Sequence, residues 1–367
     1  MSFRRKLCGT ALAVAGAMLP AMPASAQWQI ESKDGQATLK IGFLAQSQME
    51  RLETADQAAT STNLFLRRFR VLLGGNVSKR WSFFVETDSP NLGKANTNPG
   101  ATTGVKDQGG VFMQDAYFTY TRSDALKVDA GMIMLPHSRH GTQSAATLLA
   151  VDYAPFSFLD SGPGGERFGR DYGVQLRGYP AKQHLEYRLG LSQGVRGAEA
   201  TNPLRVTGRA TYYLFGAETG FFYGGTFQGT KKQAGFGAGF DVQDDSRIFS
   251  VDVFFETPLA GKAQGATFQA NWMRYDGGEF LATLPKQEAF LAEVGYHLLN
   301  HRLTPFVQYQ ARRFANAATP DQDHLQVGAA YWMAGHQRNI KASFGRQHTA
   351  AQPDRTMMLV QLQLFYF

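Results

Sequence analysis

The sequence predicts an all-β fold, a transmembrane antiparallel β-barrel, and three observations carry that prediction. Apolar and polar residues alternate with a period of two, in segments of about ten residues, along nearly the whole chain. An export-type segment opens it, with Arg4, Arg5 and Lys6 ahead of an apolar stretch. Beyond that segment no apolar run is long enough for a helix to cross a bilayer. A mean hydropathy of −0.28 looks soluble, yet aromatics make up 13% of the residues. A barrel wall hides its membrane signal in this way, because one residue in two faces water.

Taken in order, the first element is residues 1–26. Leu7–Met22 is apolar, and Ala24-Ser25-Ala26 supplies small residues for cleavage before Gln27, the layout of a signal peptide. A retained membrane anchor is the alternative, but the run is short and broken by Pro20 and Pro23. Residues 27–367 are then read as one barrel domain. Arg4, Arg5 and Lys6 leave with the signal, so the net charge falls from +7 to +4. That balance is too mild for a nucleic-acid partner. Any selectivity must come from where charges sit. The single cysteine, Cys8, also leaves, so the mature chain has no disulfide and no cysteine metal site. Nothing in the sequence asks for a cofactor.

The strand pattern is clearest in 184–192. Leu185, Tyr187, Leu189 and Leu191 share one face, and His184, Glu186, Arg188 and Ser192 share the other. Segments 126–134 and 205–214 repeat it, the latter with Arg205 and Arg209 on the polar side. Further strands are predicted at 36–47, 64–77, 81–88, 111–121, 171–179, 221–229, 235–243, 247–257, 266–275, 288–298, 303–313, 324–334, 339–347 and 357–367. The total is odd, whereas bacterial single-chain barrels have even numbers of strands. Sixteen strands is the favoured count. Eighteen comes next, with Trp28–Ser32 pairing across Lys33-Asp34-Gly35. Ser78-Lys79-Arg80, Ser123-Asp124-Ala125 and 180–183 read as tight turns, and 51–62 and 90–110 as long polar loops. Residues 136–170 form the longest connection and show no strand pattern. A loop of that length usually has a function.

Several stretches carry a family likeness: Phe69-Arg70-Val71, Gln114-Asp115-Ala116-Tyr117, Gly131–Pro136 leading into the long loop, and Gly169–Leu176. Arg274–Gly278, Tyr331–His336 and the terminal Gln361–Phe367 follow in order. As an ordered set they resemble the phosphate-selective porin O/P family over essentially the whole mature length. That resemblance implies a 16-stranded outer-membrane porin of a Gram-negative bacterium, a homotrimer set among outer-membrane lipid and lipopolysaccharide. It also implies an inward-folded long loop and basic residues that select inorganic anions such as phosphate. The final Phe367 looks like the signal read by barrel-assembly machinery. It shares parity with Gln361 and Gln363, which places it at the rim rather than in the lipid-facing row.

An anion pore needs fixed positive charge where the passage is narrow and water scarce. The lumen-facing basic candidates are Lys40, Arg68, Arg70, Lys127, Arg177, Arg188, Arg205 and Arg209. His137, Arg139, His140, Arg167 and Arg170 on the long loop join them. The family's placement supports Lys40, Arg68, Arg70 and Arg139, with Asp115 as an acidic counterpart. Its dense lysine cluster is not evident here. Asp129, Asp171, Glu186, Asp252 and Glu256 share the polar face and offset the arginines. The expected function is therefore a water-filled, anion-preferring channel for small hydrophilic solutes, with phosphate or polyphosphate selectivity as the sharper form. A general-diffusion porin, a barrel hydrolase and a plugged structural barrel are the alternatives. His297 and His301 have a metal-like spacing but fall between strands, and Asp241–Asp245 reads as a turn.

Overall fold

A strand whose residues alternate between lipid and water needs every edge paired, and closing the sheet on itself achieves this. The computed structural model describes residues 28–367, apart from 55, 56, 58, 96–105, 107, 108, 159–168, 260 and 262. The expected signal peptide lies outside the described residues. The strands are β1 (Trp28–Glu31), β2 (Thr38–Glu53), β3 (Thr60–Asn76), β4 (Trp81–Asp88), β5 (Phe112–Ser123) and β6 (Leu126–Met134). They continue as β7 (Arg170–Gly178), β8 (Leu185–Ser192), β9 (Arg205–Tyr213), β10 (Gln233–Gln243), β11 (Ser246–Leu259) and β12 (Gln264–Asp276). The last are β13 (Gln287–His297), β14 (Leu303–Phe314), β15 (Gln322–Ala334), β16 (Arg338–Thr349) and β17 (Arg355–Tyr366).

Strands β2 to β17 form a closed antiparallel ring of 16. The seam runs from Met357↔Leu52 to Tyr366↔Phe43, joining β17 to β2. Trp28–Glu31 is a seventeenth strand outside the ring. It pairs with Thr38–Ile41, the part of β2 that β17 leaves free. The expected strand at 221–229 is not one. It belongs to a connection over 214–232 that folds into the barrel, and removing it from the predicted set leaves sixteen.

Alternation is strict in β11. Ser246, Ile248, Ser250, Asp252, Phe254 and Glu256 are buried, while Phe249, Val251, Val253 and Phe255 are exposed. Exposed apolar rows recur around the ring, as a lipid-facing surface requires. Met132 and Met134 depart from this, being buried although they share parity with lipid-facing Leu126.

Both ends of the ring's chain lie on one side, with the short turns that mark the periplasmic face. Two connections fill the lumen. The outer loop between β6 and β7, called L3 below and described over 135–158 and at 169, packs Leu149, Ala150 and Val151 against Phe306, Trp332, Met357 and Leu359 of the inner wall. Lys341 of β16 donates to the carbonyls of Leu148 and Ala150, and Gln363 to that of Ala146. The inner face of β14–β17 is thus partly apolar, which gives L3 a surface to bury.

The second filler is 214–232, called T4, a long turn on the periplasmic side. Its Tyr223 exchanges backbone hydrogen bonds with L3: Tyr223 N–H donates to Thr142 O and Ser144 N–H to Tyr223 O, each at 3.0 Å. Thr226 N–H donates to Thr147 O at 3.1 Å. At the crossing, a Cβ on Gly225 would stand 2.5 Å from the Thr147 carbonyl oxygen, so only glycine permits this approach.

Candidate pore constriction

Two β-bulges prepare the site. Opposite Gln46 and Ser47, β3 carries Arg67 as an extra residue, and opposite Glu86 and Thr87, β5 carries Gln114. A bulge lets consecutive side chains point the same way. Arg67 and Arg68 therefore both reach inward to Asp152 of L3, at 2.5 and 2.6 Å. Gln114 and Asp115 are both fully buried on the inner side.

Around these residues the wall and L3 line a partly open pocket, the passage referred to below, with about 20 Å³ of space for water. It is lined by Arg67, Arg68, Arg70, Arg170, Asp88 and the rings of Tyr153 and Phe158. Arg70 pairs with Glu86, and with Asp88 at 2.8 Å. Arg170 pairs with Asp115 at 3.2 Å. Four guanidiniums thus meet four carboxylates, but only Asp88 of the carboxylates lines the free space. Asp115 and Glu86 are buried beside their arginines, whereas Asp152 keeps more exposure than Arg68 or Arg70. Burial alone opposes ionisation of Asp152, yet Arg67 and Arg68 outweigh it and hold this carboxyl well below the usual range.

A second arginine group lies elsewhere. Arg177, Arg188 and Arg209 are direct cross-strand neighbours on β7, β8 and β9. Like charges in such a row repel, and interleaved acids relieve this. Arg177 pairs with Asp129 at 2.6 Å, Arg188 with Glu186 at 2.7 Å and Arg209 with Asp252 at 2.7 Å. T4 covers the row: Arg188 donates to Phe221 O at 2.8 Å, and Arg209 Nε to the Tyr223 hydroxyl at 3.2 Å. Arg139 of L3 binds Glu218 of T4 at 2.7 Å and lies 3.7 Å over the Phe254 ring.

The structure therefore separates the expected site residues. It brings Arg68, Arg70 and Arg170 together on the passage, with Asp115 paired to Arg170. Arg139, Arg177, Arg188 and Arg209 instead hold T4 and L3 in place. Lys40 sits half-buried on β2 near the periplasmic end, and Arg167 lies outside the described residues. Sequence reasoning missed Arg67, because strict alternation turns it toward lipid. It also missed Asp152, Glu86, Asp88 and Glu218, whose partners are distant in the chain.

The histidines have structural partners. His140 Nε2 accepts from Ala154 N–H at 2.9 Å, and burial pushes this imidazole down to about 4. His137 contacts Asp241 at 2.7 Å. His297 and His301 have ring centroids 6.4 Å apart, and no metal-binding group of three occurs among the described residues.

A closed 16-stranded ring with a lipid-facing exterior and a loop narrowing a charged lumen defines an outer-membrane channel of the porin class. Residues 39–273 match the phosphate-selective porin O and P family, and the chain belongs to it. Among solved structures, the outer-membrane channel DcaP of Acinetobacter baumannii is similar at 12% identity and a TM-score of 0.56, covering 92% of this chain and 99% of that one. The anion-selective porin from Comamonas acidovorans is similar at 9% identity and a TM-score of 0.58, covering 90% and 100%. OmpT of Vibrio cholerae, in its trimer form, follows at 10% identity and 0.51, also covering 90% and 100%. At such identities these likenesses concern the fold. Comparison with curated proteins finds no match. Family and fold place the chain in the Gram-negative outer membrane and point to a channel rather than an enzyme.

Proposed function

We propose that the chain is a diffusion channel for small hydrophilic solutes with a modest preference for anions, set at the passage between L3 and the β3–β7 wall. The carrying observation is the charge lining that passage. Guanidiniums of Arg67, Arg68, Arg70 and Arg170 line the free space, and of their four carboxylate partners Asp88 alone lines it with them. A solute anion there faces four guanidiniums and one carboxylate. The opposing carboxylates keep the preference modest, because charge at the site balances overall.

Strict phosphate selectivity is not favoured. Phosphate binding by arginine uses paired N–H donors, and here each guanidinium already gives one or more of its donors to Asp152, Glu86, Asp88 or Asp115. Export by cleavage after Ala26 and assembly as a homotrimer in lipid and lipopolysaccharide belong to the same reading. The signal layout and the family support them.

The test is the reversal potential of the reconstituted protein in a potassium chloride gradient, repeated with added phosphate. The expected result is an anion-side potential and chloride current little affected by phosphate. A cation-side potential sinks the anion preference. Strong block by phosphate at low concentration reinstates phosphate selectivity.

A further inference from the structure

Beneath the arginine passage the inner wall turns aromatic. Tyr153 and Phe158, which line the passage, share one apolar cluster with Leu44 and Leu72, and Phe84, Phe365 and Phe367 pack on it. Phe84 in turn touches Phe367 at 5.5 Å, Tyr117 at 5.7 Å and Phe222 of T4 at 5.8 Å between centroids. Phe221 stacks on Tyr117 at 4.3 Å and meets Phe222 edge-on at 5.1 Å. The Phe367 ring lies over the inner face at Gly74, where a Cβ would stand 2.7 Å from it. Phe84, Phe222, Phe365 and Phe367 are only half-buried, although all lie inside the barrel.

Aromatic side chains inside a water-filled pore are the reverse of what a hydrated inorganic anion requires. Phosphate would leave water there for rings that cannot replace its hydrogen bonds. An anion with a planar apolar body gains on both levels. Its carboxylate faces the guanidiniums, and its ring meets neighbours at the offset or edge-on distances such pairs favour.

We propose that the arginine passage and the aromatic collar below it form a transit site for organic monocarboxylates with a planar apolar body, of the benzoate class. This rests on the anion-preferring channel reading above. T4 supplies Phe221 and Phe222, so the collar depends on the inward fold of that turn.

The experiment is block of chloride current through the full-length reconstituted protein by sodium benzoate, acetate and phosphate. Benzoate is expected to halve the current at about tenfold lower concentration than acetate, equivalent to ~1.4 kcal/mol. Phe222→Ala should raise the benzoate value to that of acetate and leave acetate unmoved. Heat-modifiable migration verifies that the variant is folded. If it is not, Phe222→Leu keeps the apolar volume without the ring and should still lower the preference. Equal block by benzoate and acetate, or an undiminished preference in a folded variant, overturns the collar alone. A cation-selective wild-type channel overturns the underlying anion reading and this inference with it.

Discussion

The passage beside L3 and the row beneath T4 are built from the same parts and do different things. Each sets buried arginines against carboxylates in nearly equal number. At the passage, Arg68, Arg70 and Arg170 border free space. In the row, the donors of Arg177 and Arg188 that remain after ion pairing go to the Tyr179 hydroxyl and to the carbonyl of Phe221. What decides whether an inward arginine can act on a solute is what lies over it, not its place on a polar face. The row is mortar and the passage is wall.

Removing one arginine from each region is the most direct way to break that distinction. Arg188→Ala should carry the largest effect, on stability. It leaves Glu186 buried without its cation, and breaking a buried pair costs about 3–5 kcal/mol. The lower end is expected, because the hydroxyls of Tyr213 and Tyr223 still donate to Glu186 at 2.7 and 2.9 Å. The reading is the denaturation midpoint of the heat-modifiable band. A variant as stable as the parent would mean that T4 does not depend on the row.

Arg70→Ala should act on permeation as well as on stability. Glu86 and Asp88 are buried and lose their shared cation, so a stability cost of the same kind accompanies the change in selectivity. One charge at 4 Å is worth ~1 kcal/mol even in bulk water, so the anion-to-cation permeability ratio should fall about fivefold. An unchanged reversal potential would remove Arg70 from the site. Arg139→Ala should change selectivity less than Arg70→Ala, since Arg139 binds Glu218 and lies over Phe254.

The wall was legible in the sequence because a period of two is a local signal, and slipping the register by one residue would turn charges toward lipid. The filling was less so. Tyr223-Gly224-Gly225 alternates well enough to pass for a strand. Only the odd strand count and the paired glycines hinted that this stretch goes elsewhere. L3 was readable as a long patternless loop, but its docking face on Phe306, Trp332 and Leu359 interrupts the polar parity that a lumen leads one to expect. The bulge at Arg67 was invisible, since it is a property of how β3 pairs with β2. The partners of the expected arginines were hidden for the same reason: Asp152 is remote from Arg68 in sequence, and closure of L3 alone brings them together.

Acid should sharpen the comparison from the side of L3. His140 is buried, and its imidazole stands at about 4, below its ordinary value near 6.5. The unfolded loop therefore binds more protons than the packed one between these values. Stabilisation from neutral His140 is complete above about 6.5 and is lost as pH falls toward 4. Asp152 acts in the same direction at lower pH, since its carboxyl is held below the usual range. L3 should loosen on acidification, seen as rising current noise and protease access in the pH 4–6 window, while the ring persists. His140→Gln should flatten that dependence. A pH response unchanged by the substitution would show that another group controls the loop.

The smallest expected effect tests the balance of charge most closely. Asp152→Asn removes the carboxylate shared by Arg67 and Arg68 but preserves shape and an acceptor oxygen. If the guanidiniums lining the passage set the anion preference and their acid partners temper it, the substitution should raise that preference, by less than Arg70→Ala lowers it. The asymmetry follows from position: Arg70 lines the free space, whereas Asp152 does not. The cost is that two cations lose a shared partner, so L3 should also loosen slightly. The two consequences separate in one recording, because selectivity appears in the reversal potential and loosening in the noise. A shift toward cations would contradict the proposed roles of these charges.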